Sequence, residues 1–193
     1  GAVQDVDAIL SYFQLDKVVL IGHSWGGNPL QEYTYRHPNR VLALVMVDSW
    51  GQHRYLSDKE RNRIKYSSLM YKTIPWKMIA DKNSKMCTDN PITRELVKTA
   101  IIETGRDVFL NLGVTGFLAV HEIEGYHGNP PMLLVRGEHD FPKHLKIIYD
   151  GIIALNPNAR QVTISDSKHQ PMNDHPQEFN QLIGEFFEEV VGP

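Results

Sequence analysis

The sequence predicts an α/β fold, a parallel sheet with helices on both faces and a helical insertion, and two observations carry that expectation. Short unbroken apolar runs recur at Val18-Val19-Leu20-Ile21, Val41-Leu42-Ala43-Leu44-Val45-Met46-Val47 and Met132-Leu133-Leu134-Val135. They lack the polar alternation of a half-solvated strand, as suits strands buried on both faces. Helix-like sequence separates the first two runs, and strand, helix, strand is the pattern of a parallel crossover.

Taken in order, Val3, Val6, Ile9, Leu10 and Phe13 recur at helical spacing with Asp5, Asp7 and Gln14 on the other faces, which predicts an opening helix packed by one side. The first strand runs from Lys17 to Ile21 and ends at Gly22; a helix follows from Asn28 to His37, stopped by Pro38. The second strand ends at Asp48. From residue 50 to 129 the pattern changes to helix-like stretches rich in Lys, Arg, Tyr and Met with no buried strand, which reads as a cap laid over the sheet. Pro131 to Arg136 restores a buried strand, Leu145 to Leu155 a helix, and Arg160 to Ile164 a last strand before a closing helix from Pro176 to about Val190. Residues 1–49 and 130–193 therefore form the core and 50–129 the cap.

Composition narrows the partners. With 193 residues, 41% of them apolar, the chain can bury a sizeable core. A net charge of -3 with scattered Lys and Arg argues against nucleic acid as a partner. The single cysteine, Cys87, has no partner for an internal disulfide and no zinc-spaced companions, and a reducing, cytoplasmic setting is expected. No apolar run approaches the roughly 18 residues of a membrane span.

Gly22-His23-Ser24-Trp25-Gly26-Gly27 fits G-x-S-x-G, a pattern that arises by chance in roughly one chain in twenty of this length. Its position is more telling than its letters, because it begins where a buried strand ends and a helix starts, as a nucleophile elbow must. Such a turn strains Ser24, points its hydroxyl into a pocket and leaves the Trp25 N–H facing the oxygen that becomes negative in acyl transfer. Serine needs a base and an orienting acid. Asp140, in Gly137-Glu138-His139-Asp140 just past a strand end, is the candidate acid, with Glu138 and Asp48 as rivals. His169 and His175 share the loop after the last strand and are the candidate bases.

These residues, in the order serine, acid, histidine, resemble the α/β-hydrolase superfamily. Val18 to Gly27 looks like its strand, elbow and helix, and Gly137 to Asp140 like its acid loop. His169 to Phe179 is similar to its closing segment, in which a histidine precedes an acidic residue by five positions and a proline by seven. That spacing selects His169 over His175. The resemblance implies a serine hydrolase acting on a small ester or amide through Ser24, His169 and Asp140, with Trp25 N–H in the oxyanion hole. Esterase activity is the first expectation, and the elbow is also similar to that of proline iminopeptidases. It implies no metal or organic cofactor, and the pairs His121/His127 and His139/His144 lack a ligand spacing and read as solvated side chains. The resemblance begins at the helix before the elbow, so further strands and a His-Gly loop with a second oxyanion donor are expected upstream, and the open sheet edge is expected to favour self-association. A ligand-binding or inactive hydrolase-fold fragment with little turnover is the competing reading.

Overall fold

The computed structural model describes residues 1–52, 56–123, 130–140 and 142–192, with the side chains of 67, 68 and 142–144 outside that description. After α1 (Ala2–Tyr12) come β1 (Val18–His23), α2 (Gly27–Arg36) and β2 (Val41–Val47). Among the described residues four helices then occupy the stretch before the next strand: α3 (Asp58–Tyr71), α4 (Trp76–Cys87), α5 (Pro91–Thr104) and α6 (Arg106–Leu118). The chain closes with β3 (Met132–Gly137), α7 (Pro142–Leu155), β4 (Ala159–Ile164), the single turn α8 (Pro171–Asp174) and α9 (Pro176–Val191). Helix α7 starts three residues before its apolar periodicity does, at a proline, whose fixed φ suits a first helical position.

Among the described residues the strands form one parallel sheet in the order β1-β2-β3-β4. The register is regular except between Val18 and Val19, where β1 slips past β2. Because successive strand residues point to opposite faces, the apolar runs divide into two cores. Leu20, Leu44, Met46, Met132 and Leu134 meet Leu10 of α1, Tyr33 of α2 and Leu145, Ile148 and Ile152 of α7. Ala43, Val45, Val47, Leu133, Val135 and Ile164 meet Phe179, Ile183 and Phe186 of α9. Helices thus cover both faces, which is why β2 and β3 read as continuous apolar sequence. Strand β1 lies at one end of this order and leaves Ile21 47% exposed.

Local chemistry explains the helices between β2 and β3. Ser57 and Glu60 form a reciprocal capping box at the start of α3. Asn90 Oδ1 accepts the Ile92 and Thr93 amides at the start of α5, where Pro91 needs no donor partner. Buried Gln52 joins the two ends of this stretch to the core: its amide donates to Gln31 Oε1 of α2, and its own oxygens accept from His121 and Ile123. Among the described residues no helix is long and apolar enough to cross a membrane.

Candidate active site

Parallel strands end together, so the loops after β1, β2, β3 and β4 share one rim, where open α/β sheets place their reactive groups. Among the described residues, three of the four non-glycine residues with positive φ lie in those loops: Ser24 (53°) after β1, Asp48 (46°) after β2 and Asp166 (53°) after β4. Left-handed backbone at such residues is costly and persists only where the surroundings impose it.

At Ser24 the surroundings are glycines. A Cβ on Gly22 would stand 2.6 Å from Gly27 Cα, and one on Gly27 would stand 2.0 Å from Ser49 Oγ. Glycine at 22 lets β1 and the start of α2 approach closely enough to turn the chain at Ser24, and glycine at 27 leaves room for Ser49. The Ser49 hydroxyl, at the end of β2, donates to the Ser24 carbonyl and clamps the turn from beneath. Residues 24–26 form a 3-10 turn leading into α2, so the Trp25 amide sits at the positive end of a helical segment.

The structure brings the three residues anticipated from sequence together. The Asp140 carboxylate accepts the Nδ1 proton of His169 at 2.7 Å, which leaves Nε2 to accept the Ser24 hydroxyl at 2.8 Å. His169 comes from the loop after β4, and that loop is fastened at several points. The His139 amide donates to Ser167 O at 2.8 Å, and Gly137 passes so close that a Cβ there would stand 1.9 Å from Lys168 O. Asp174, the acidic residue five positions after His169, accepts from Ser167 Oγ, the Lys168 amide and Thr88 Oγ1. Lys168 Nζ reaches Asp89 at 2.7 Å. Thr88 and Asp89 join α4 to α5, so the intervening helices hold the histidine loop directly.

The rivals have other partners. Glu138 Oε2 accepts the Asp166 amide at 3.1 Å, closing the loop after β4. His175 engages through its backbone, donating to Pro171 O and accepting from Phe179 N as α9 begins. Asp48 is buried beside Asp140 and accepts the Gly137 amide on Oδ1 at 3.0 Å. Burial and the neighbouring Asp140 charge push its carboxyl up to about 9.

Two further residues shape the rim and were not singled out from sequence. His23 donates from Nε2 to the His169 carbonyl at 2.7 Å, with the two imidazoles 4.8 Å apart. Burial, reinforced by His169, lowers its pKa to about 4, so the ring is a neutral tether at ordinary pH. Tyr149 of α7 is fully buried; its hydroxyl accepts the Ser49 amide at 3.0 Å and donates to Val135 O at 3.3 Å, and burial raises its pKa.

An apolar wall stands over the elbow. Gly116 of α6 lies against the Trp25 indole, where a Cβ would fall 2.1 Å from the ring, and Phe117 meets Trp50 edge-on with centroids 5.4 Å apart. A separate groove of about 790 Å³, lined by Tyr71, Ile74, Met78 and Ile102 among others, touches none of the three rim residues.

One oxygen each of Asp48 and Asp140 and a ring nitrogen of His169 lie within 4.8 Å of one another, as do ligand atoms of the exposed residues Glu138, His139 and Asp166. A cation at the first group would compete with the hydrogen bonds that both His169 nitrogens already make. The second is a solvated acidic cluster. His121 stands 3.2 Å from Glu32; His127 and the side chain of His144 lie outside the described residues.

Comparison with known proteins bears on the fold. A family model described as the alpha/beta hydrolase fold matches residues 2–176. The chain belongs to the α/β-hydrolase family. A rat protein named 1-acylglycerol-3-phosphate O-acyltransferase ABHD5 is 24% identical over 220 residues, covering 95% of this chain and 60% of the relative. The chain thus spans about three fifths of the length of that curated relative. Among solved structures, a thermophilic esterase from Thermogutta terrifontis matches with a TM-score of 0.80 at 18% identity, covering 97% of this chain and 71% of that one. An esterase from Exiguobacterium antarcticum also matches at 0.80, with 12% identity, covering 96% and 72%. At these identities the likeness is one of fold.

Proposed function

We propose that this α/β-hydrolase chain carries a serine hydrolase site that cleaves a small ester through an acyl-serine intermediate. The observation that carries the reading is the unbroken hydrogen-bond path from Asp140 through His169 to Ser24, at 2.7 and 2.8 Å. Ser24 attacks the carbonyl as His169 Nε2 takes its proton, and Asp140 holds the imidazole and offsets the charge it acquires. The Trp25 amide donates to the oxyanion. His169 then returns the proton to the leaving alcohol, and water, deprotonated by the same ring, releases the acid.

The proposal extends to residues 50–129 acting as a cap. It is supported by the ties of Thr88 and Asp89 to the histidine loop and by the packing of Gly116 on Trp25. Trp25, Trp50 and Phe117 favour an apolar acyl group over a charged one. A second reading changes only the acceptor: the relative's name is that of an acyltransferase, and the same acyl-serine would serve if an alcohol replaced water.

The test is covalent labelling of Ser24 with a fluorophosphonate, read by intact mass, together with turnover of short-chain esters. One adduct per chain, absent in Ser24→Ala, is the expected result; no adduct, or labelling unchanged in the variant, refutes it. Adding a glycerol-type alcohol and assaying for ester product separates transfer from hydrolysis.

A further inference from the structure

The buried group left over by that mechanism is the second carboxyl at the rim. We infer that Asp48 and Asp140 form a pair holding one proton, carried on Asp48, and that Asp48 is a positioning residue whose O–H donates to Asp140 and steadies it against His169. The inference rests on the proposed serine chemistry for its consequence but on geometry for its substance.

Asp48 and Asp140 are 1% and 2% exposed and lie just past the ends of neighbouring parallel strands. The Asp48 backbone is fixed in a left-handed conformation while its amide donates to Val135 O at 2.9 Å, so the carboxyl is held where it is despite local strain. Oδ1 accepts the Gly137 amide, whereas Oδ2 is buried with no hydrogen-bond partner among the described residues, and a carboxyl oxygen of Asp48 lies within 4.8 Å of one of Asp140. Two carboxylates side by side in a dry site cannot both be ionised. A proton between them removes the repulsion and satisfies Oδ2 in one step.

The surrounding groups decide which partner holds the proton. Asp140 already receives the His169 N–H, and it faces the ring that becomes imidazolium in turnover, so negative charge belongs there. Asp48 has a backbone amide for company and, as charged or titratable neighbours, Asp140, His169 of the loop after β4, Arg136 of β3 and the neutral Tyr149 phenol of α7. The influence of Arg136 is smaller than that of burial and Asp140 together, and the balance lies with the neutral acid. Above about pH 9 the proton leaves, a second negative charge appears beside Asp140, and the orientation of His169 degrades.

The experiment compares wild type with Asp48→Asn and Asp48→Ala. Asparagine can both accept from Gly137 and donate to Asp140 but has no proton to lose. We expect wild-type kcat/KM to fall above about pH 9 through one ionisation that Asp48→Asn lacks. At pH 7.5 Asp48→Asn should stay within about threefold of wild type, while Asp48→Ala should lose about ten- to a hundredfold in kcat with little change in KM. Superimposable profiles for wild type and Asp48→Asn, or equal losses in both variants, would overturn the inference. Infrared difference spectra of wild type against Asp48→Asn at pH 7 give a readout independent of turnover and of Asp48→Ala folding. A protonated-carboxyl stretch lost in the variant supports the pair even if Ser24 proves unreactive, and its absence refutes the pair even if Ser24 is labelled.

Discussion

At the rim of the sheet Asp48, Ser49 and Asp140 are all buried, and each is bonded to a group on another strand or loop. On the helices between β2 and β3, Tyr66, Met70, Ile92 and Leu96 are instead between 67% and 73% exposed, and the ion pair of Lys85 with Asp81 is solvated and local, four residues apart. The difference is one of constraint. Rim side chains are positioned by partners far away in sequence, so one replacement there disturbs chemistry and fold together. Helix surfaces answer to their own helix first, and substitutions can alter what is recognised without disturbing the reacting groups.

The largest expected effect tests whether rim geometry, rather than the presence of a histidine in the right loop, decides activity. His169→Gln should lower ester turnover by about four to six orders of magnitude, because base and acid roles vanish together. His175→Gln, six residues beyond His169 and bonded only through its backbone among the described residues, should retain most activity. Steady-state kinetics of the two variants decide it, and equal losses would mean that the loop, not the ring at 169, is what matters.

A middling effect concerns the buried tether and can be read without any substrate. His23 has its pKa lowered to about 4 in the fold, against 6.5 when unfolded. Between those values the unfolded chain binds a proton that the folded chain refuses, so stability falls as pH drops from about 6.5 to 4, by up to about 3 kcal/mol. Asp48 has the opposite sign: its folded pKa is raised, so it favours the fold at low pH and that contribution is lost as pH rises toward about 9. Denaturant unfolding of wild type and His23→Gln across pH 4 to 7.5 should show the gap between them change over the first window alone. A constant gap would place the proton elsewhere.

How far each region could be read in advance follows the same division. Ser24 was legible because an elbow is local: a buried strand, two close glycines and a helix start within ten residues. Asp140 and His169 were legible because each follows a strand closely and the spacing of His169 to Asp174 and Pro176 is distinctive; Asp174 turns out to be the residue that fastens the histidine loop. His23 was not legible in its role, since its partner is a backbone carbonyl on another strand's loop, and any residue there offers one. Asp48 could be seen as a strand-end carboxyl but not as one facing Asp140, because that depends on β2 and β3 being adjacent. The caps at Ser57 and Asn90 have local signatures, yet nothing local announces that Thr88 would reach Asp174 or that Gly116 would lie on Trp25.

The smallest effect asks whether the intervening helices and the sheet unfold as one body. Ser57 accepts the Glu60 amide at 3.3 Å, and Glu60 in turn accepts the Ser57 amide at 2.8 Å and its hydroxyl at 2.7 Å. All of this lies in the first turn of α3 and is solvent-exposed, so Ser57→Ala should cost about 1 kcal/mol of local helix stability and leave ester turnover unchanged. If the helices open separately from the sheet, native-state hydrogen exchange should quicken in α3 by about fivefold, the equivalent of that energy, with β2 and β3 amides unaltered. Because Thr88 and Asp89 fasten the α4 to α5 junction to the histidine loop, the acceleration should stop before that junction. An equal acceleration through β2 and β3 would break the contrast between the two regions, since it would show that the sheet has no way to open without the helices above it.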